Sequence, residues 1–263
     1  MPSQVGRARA QGALLLTGVA LGGLALAGCR TAPDAAVIRG RIDAAPVTTR
    51  AALVWSLPFY GSPREDDCGS CALATALASA GRPQRLETVR AAIHDPERGG
   101  APTSALVRYA RAQGLFALAR EHWYLDDLKA WIRAGVPPIV LLSASPLGAG
   151  KFHYVLLTGY DDDGRVVLAR DQIERELAIP YDAFFPRWCE ADGWALVVAS
   201  PSIELPPDHA RLTALELGAL GWLAEQAQDL ASAERHYRSA LEVDPGFAAA
   251  RRNLAHVEQL RAP

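Results

Sequence analysis

Cys68 stands in the run Asp66-Asp67-Cys68-Gly69-Ser70-Cys71-Ala72-Leu73, at the head of an Ala- and Leu-rich stretch that predicts a helix over 68–80 ended by Gly81. A thiol in the first helical turn meets backbone N–H groups without intrahelical partners and the positive end of the helix dipole, and both favour a thiolate. A second run, His153-Tyr154-Val155-Leu156-Leu157-Thr158-Gly159-Tyr160-Asp161, puts an imidazole at the start of a buried strand, 153–160. Alternation places His153 on the face of Val155 and Leu157. Asp161-Asp162-Asp163-Gly164 predicts a hairpin turn in which Gly164 supplies the positive φ, and 165–170 is the return strand. That return brings Asp171 near the level of His153, where a carboxylate can hold the imidazole in one tautomer and stabilise its charged form. Cys activated by His, with His oriented by Asp, is a complete nucleophilic triad.

The elements that must carry these groups follow from pattern. Short helices are expected over 86–93, 104–113 and 126–134, the last with Asp126-Asp127 favouring its N-terminus. Strands are expected at 138–142 and 194–199, beside the hairpin. Helices first and an antiparallel sheet afterwards is the α+β order.

This order and context resemble the papain-fold peptidases that process the double-glycine leaders of bacteriocins. In that family the nucleophile opens a helix in a Cys-Gly-x-Ala context, its His begins a strand ending Gly-Tyr-Asp, and an Asp follows shortly after. Here those positions fall on Cys68-Gly69, on His153 with Gly159-Tyr160-Asp161, and on Asp171, and Leu57-Pro58-Phe59-Tyr60 looks like the family's opening segment. The resemblance covers about residues 55–199 and implies a papain-like fold, cysteine peptidase activity and no metal or organic cofactor. Two positions depart from it. The family has a Gln several residues before the Cys that completes the oxyanion hole, whereas 59–67 reads Phe-Tyr-Gly-Ser-Pro-Arg-Glu-Asp-Asp. Losing one such donor costs about 10²–10³ in rate, and Ser62 and Arg64 are the candidate replacements. Asp171 is followed by Gln172 where the family often has Pro.

The chain has 263 residues, 50% hydrophobic, and a formal net charge of −2. It is too apolar for a disordered protein, and no overall basic field argues for nucleic acid. Arg7 and Arg9 precede an apolar run at 13–27, too short to span a bilayer comfortably but suited to a signal peptide. The segment ends Leu26-Ala27-Gly28-Cys29, which resembles the lipobox of bacterial lipoproteins. That resemblance implies a signal peptide at 1–28 and lipidation of Cys29. With Arg30 rather than Asp next, it implies anchoring in the outer membrane facing the periplasm. Residues 29–52, with scattered Pro, Ala and Thr, read as a tether, and 53–200 as the peptidase domain. Three cysteines then remain, so at least one thiol lacks an intramolecular partner in that oxidising compartment.

Beyond a proline-bearing linker at 201–207 the pattern turns wholly helical. A 34-residue tetratricopeptide repeat numbered from Ala214 puts Leu217, Leu220, Gly221, Ala224, Ala233, Tyr237, Ala240 and Pro245 at signature positions, with Ala224 where a Tyr is usual. A third helix, about 247–261, caps the open face, giving an all-α module at 208–263. One and a half repeats must lean on the preceding domain or on a partner protein. Together with the lipobox, the tail makes the chain look most like standalone lipoprotein cysteine peptidases that carry tetratricopeptide repeats.

Other chemistries remain open from these residues. Cys68-Gly69-Ser70-Cys71 has the Cys-x-x-Cys form of a thiol-disulfide oxidoreductase, although no βαβ start precedes it. Cys71 reads as a buried small hydrophobe or a disulfide partner of Cys189. A zinc site from Cys68, Cys71, Cys189 and a His has no recognised spacing. A catalytically inactive peptide-binding lipoprotein and a murein hydrolase are further alternatives. His94 reads as a helix C-terminal residue, His122 as a strand or surface residue, and His209, His236 and His256 as solvated. The small-residue loop 143–152 flanks the candidate base, and Gly99-Gly100 reads as a turn.

Overall fold

The computed structural model describes residues 35, 37–39, 50–54, 56–144, 151–205 and 212–262. The leader, Cys29, most of the tether, positions 145–150 of the small-residue loop, Pro206, Pro207 and His209 lie outside the described residues. Ala32–Pro263 form one compact unit.

The chain enters through β1 (Ala51–Leu53), then a 3-10 turn (Glu65–Asp67) that runs directly into α1 (Cys68–Ser79). α2 (Leu86–Ile93), α3 (Thr103–Ala112), β2 (Phe116–Arg120), α4 (Leu125–Arg133) and β3 (Ile139–Ser143) follow. Next come β4 (Phe152–Asp161), β5 (Val166–Arg170), β6 (Leu177–Pro180), α5 (Tyr181–Cys189) and β7 (Ala195–Ala199). The strands form one seven-stranded sheet in the order β2-β7-β3-β4-β5-β6, with β1 paired to β4. All its pairings are antiparallel. This is the mixed helix and antiparallel-sheet class that the residue pattern predicts.

Period-two alternation decides what each face meets. Ile139, Tyr154, Leu156, Leu196 and Val198 pack with the apolar sides of α1, α2 and α3. Val140, Leu142, Val155, Leu157 and Val197 pack with Trp131 of α4 and with Phe184 and Trp188 of α5. With both faces covered, the central strands read as near-continuous apolar runs rather than as an alternation of apolar and polar residues. Each fully buried Leu or Val contributes about 1.5–3 kcal/mol relative to exposure. The strands that carry His153 and lead to Asp171 are therefore anchored in the core on both faces.

The C-terminal segment forms α6 (Ala214–Gln226), α7 (Leu230–Val243) and α8 (Ala248–Arg261). Leu217, Leu220, Ala224, Ala233, Tyr237 and Ala240 are all buried. A Cβ on Gly221 would come within 2.7 Å of the Tyr237 ring, so the glycine lets α6 and α7 meet closely. Their apolar side is continuous with the core on the α4 and α5 face of the sheet, and Glu216 lies 3.8 Å from Arg120 of β2.

Several expectations change. Positive φ in the β4–β5 turn falls on Arg165 (53°) and not on Gly164. The Asp161 carboxylate accepts the Gly164 N–H at 3.0 Å, so a local side-chain bond shapes the turn instead. Residues 51 and 52 belong to the sheet rather than to the tether, with Ala51 opposite Asp161, and Ile38 is buried against Leu53, Val166 and Leu168. His236 is buried rather than solvated, its ring 2.9 Å from the Pro201 carbonyl oxygen. β2, β6 and α5 carry no expectation from pattern.

Candidate active site

α1 presents Cys68 as its first residue, half-buried. Gly69 follows in a tight space: a Cβ there would lie 3.0 Å from Tyr154 and 3.1 Å from Ala101, so either neighbour would have to give way slightly. The Tyr154 hydroxyl donates to the Ala101 carbonyl at 2.9 Å, tying β4 to the segment ahead of α3. His153 is the second residue of β4, opposite Leu142 of β3. β5 returns with Arg170 opposite Leu156, which delivers Asp171 beside the imidazole.

His153 Nε2 lies 3.1 Å from Asp171 Oδ2. Asp171 Oδ1 accepts the backbone N–H groups of Ile173 and Glu174, both at 2.7 Å, so the carboxylate is fixed by its own turn. With Nε2 directed at Asp171, Nδ1 is the ring nitrogen left for Cys68, which is near enough to raise the imidazole's pKa. Burial opposes charging this ring, but the Asp171 carboxylate and Cys68 together override it and push His153 up to about 9. Burial also acts against the Asp171 anion, and the hydrogen bonds from His153, Glu174 and Ile173 overcome it and hold the carboxyl below its usual range. The two shifts agree: the arrangement favours imidazolium beside carboxylate. Cys68, His153 and Asp171 are thus brought together.

Ser62 and Arg64 stand differently. The Ser62 hydroxyl donates to Asp67 Oδ2 at 2.6 Å and accepts the Arg64 backbone N–H at 3.3 Å. Its single proton is therefore engaged on a carboxylate and is not offered to an oxyanion. Arg64 is exposed. The Ser62 N–H donates to the Gln172 carbonyl at 2.8 Å, and Gln172 is buried, with no partner for its side-chain oxygen among the described residues. Arg170 is buried too, and its guanidinium donates to the carbonyls of Leu57 and Pro58 at 3.2 and 3.0 Å. These bonds pin the segment leading to α1 against the end of β5.

Pattern reading missed a second cluster on the other side of Cys68. Arg90 of α2 donates through Nε to Asp67 Oδ1 at 2.5 Å and through Nη2 to Asp66 Oδ2 at 2.8 Å. His94, the residue after α2, places Nε2 2.6 Å from the same Asp66 oxygen. It is thus more than a helix-end residue. The legible signal was Arg90 and His94 at i, i+4, one helical turn apart. Nothing local says which carboxylates that pair meets, 24 and 28 residues earlier in the chain.

Cys68, Cys71 and Cys189 are all free thiols. Cys71 is buried, and burial first, then the Asp67 charge, push its thiol up to about 12. Cys189 is exposed on α5. Among the described residues no three or more His, Cys, Asp or Glu side chains are grouped to hold a metal ion.

No protein-family model matches the chain, and no curated protein does. Among solved structures it is similar to a C39-like peptidase from Bacillus anthracis, at 18% identity over 57% of this chain and 98% of that one, TM-score 0.48. It is also similar to a double-glycine-motif protease from an AMS/PCAT transporter, in complex with the leader peptide, at 21% identity over 56% and 93%, TM-score 0.41. A third similar structure is the peptidase domain of Streptococcus ComA, a bifunctional ABC transporter, at 14% identity over 55% and 99%, TM-score 0.44.

Proposed function

We propose that this chain is a cysteine peptidase in which Cys68, His153 and Asp171 act as the triad. The observation that carries the reading is one imidazole at the start of β4 with Asp171 on Nε2 and the Cys68 thiol close enough to raise its pKa. The Cys68 sulfur attacks the peptide carbonyl, and its electron pair forms the C–S bond while the carbonyl oxygen takes the negative charge. The His153 imidazolium gives its Nδ1 proton to the departing amine as the C–N bond breaks, leaving a thioester. Water, deprotonated by the same nitrogen, attacks that thioester and releases the acid and the thiolate. Asp171 keeps the ring oriented and its cation stabilised through both halves.

The wider reading assigns 1–28 to a signal peptide, 29–50 to a tether that touches the sheet at Ile38, 51–200 to a papain-like domain of the double-glycine leader peptidase kind, and 208–263 to a tetratricopeptide-type module. Lipidation at Cys29 would hold the enzyme in the outer membrane facing the periplasm. Its substrate is a peptide or protein, and the helical module offers a surface for a protein partner. The engagement of the Ser62 hydroxyl on Asp67 favours one second reading, a peptide-binding lipoprotein without turnover. Incubating the reduced protein with a mixture of unstructured peptides, and following new termini by mass spectrometry, separates the two. Cleavage that disappears in both Cys68→Ala and His153→Ala supports the peptidase. Peptide binding without cleavage would leave the second reading.

A further inference from the structure

The residue before the nucleophile, Asp67, is a buried carboxylate, and the one before that, Asp66, is a second, part-exposed one. Acidic groups suit a helix N-terminus, yet they oppose a thiolate in the same turn. The Asp67 charge does reach this turn, since it acts against ionisation of Cys71, the next thiol along α1. α2 supplies the compensation. Arg90 spans both carboxylates, His94 takes Asp66 from beside it, and Ser62 donates to the remaining Asp67 oxygen.

We propose that Arg90 is a positioning residue for the nucleophile: by bridging Asp66 and Asp67 and offsetting part of their charge it seats the 3-10 turn on α2 and eases formation of a thiolate at Cys68. The proposal rests on the reading of Cys68 as the reactive thiol. The other groups around that sulfur divide by element. β4 presents His153 and Tyr154, and Asp171 follows β5. α1 itself carries Cys71, and Tyr60 and Tyr109 pack on the same core from the preceding segment and from α3. Among these only His153 brings positive charge, and Asp171 is already bonded to it. Arg90, with His94 beside it on Asp66, is what offsets the two carboxylates before Cys68, while His153 stands between Asp171 and the thiol.

The test is the pH profile of iodoacetamide alkylation at Cys68, mapped by mass spectrometry, in the wild type and in Arg90→Gln, Arg90→Lys, Asp67→Asn and Arg90→Gln/Asp67→Asn. Loss of the guanidinium should move the profile to higher pH by about one unit, a roughly tenfold slower reaction at pH 6.5. Arg90→Lys keeps the charge and should stay near wild type. The double variant should return most of the shift, which a purely structural role for Arg90 would not do. Asp67→Asn alone should move the profile to lower pH, and that variant decides the matter if Arg90→Gln does not fold. An unmoved profile in Arg90→Gln, or a double variant as displaced as the single, overturns the proposal. A wild-type Cys68 that reacts as an ordinary thiol and ignores His153→Ala overturns the peptidase reading instead.

Discussion

Asp171 binds His153 with one carboxylate oxygen and its own turn with the other, so the imidazole is aligned by a group that cannot swing away. Against burial, Asp171 and Cys68 together push the His153 pKa up, the Asp171 hydrogen bond first among them. Asp171→Ala should therefore lower the His153 titration midpoint from about 9 by about one unit or more. NMR titration of the ring nitrogens reads this directly. A midpoint that stays near 9 would show that the carboxylate does not hold the charge.

Stability should depend on pH in a definite direction. The folded value of His153, about 9, lies above its ordinary 6.5, so its contribution is complete below 6.5 and is lost as pH rises through about 9. Asp171 is lowered from 3.8, so its contribution is present above 3.8 and is lost as pH falls through its lower folded value. Urea unfolding of wild type and His153→Ala should differ most between these limits, at pH 5–6, and converge above pH 9. A gap that widens toward alkaline pH would contradict this.

Ser62→Ala separates a hydroxyl that seats Asp67 from one that donates to an oxyanion. Alkylation forms no oxyanion, whereas hydrolysis does. Loss of the Ser62–Asp67 bond should slow both reactions by a similar factor, about tenfold or less. A drop of about 10²–10³ in hydrolysis alone would assign Ser62 to the oxyanion hole.

Cys68, Cys71 and Cys189 should rank by environment. In the folded protein at pH 7, iodoacetamide should label Cys68 and the exposed Cys189 and leave buried Cys71 untouched. Rapid labelling of Cys71, or a Cys68–Cys71 disulfide under mild oxidation, would favour the oxidoreductase chemistry of a Cys-x-x-Cys pair.

Much of this was legible in the chain because the informative residues act locally. The Ala- and Leu-rich run after Cys68 makes a helix by propensity and stops near Gly81, which adopts φ 78°. The hairpin shows itself because Val-, Leu- and Tyr-rich strands flank a polar turn. What stayed hidden is non-local or short. β1 is three residues, too few for any period. β2 reads Phe-Ala-Leu-Ala-Arg, with two alanines that favour helix. α5 carries Pro186 inside it and so reads as a break. The Arg90 and His94 bridge to Asp66 and Asp67 exists only once α2 folds against the 3-10 turn, and the burial of His236 depends on Pro201 arriving from the linker.

The central claim is that Cys68 is activated by His153. The direct measurement is the iodoacetamide rate at Cys68 from pH 5 to 9, after reduction, in a Cys189→Ser background with and without His153→Ala. The account predicts fast alkylation well below the ordinary thiol value of about 8.5, lost when His153 is replaced. Slow, ordinary thiol behaviour that is the same in both proteins would contradict it.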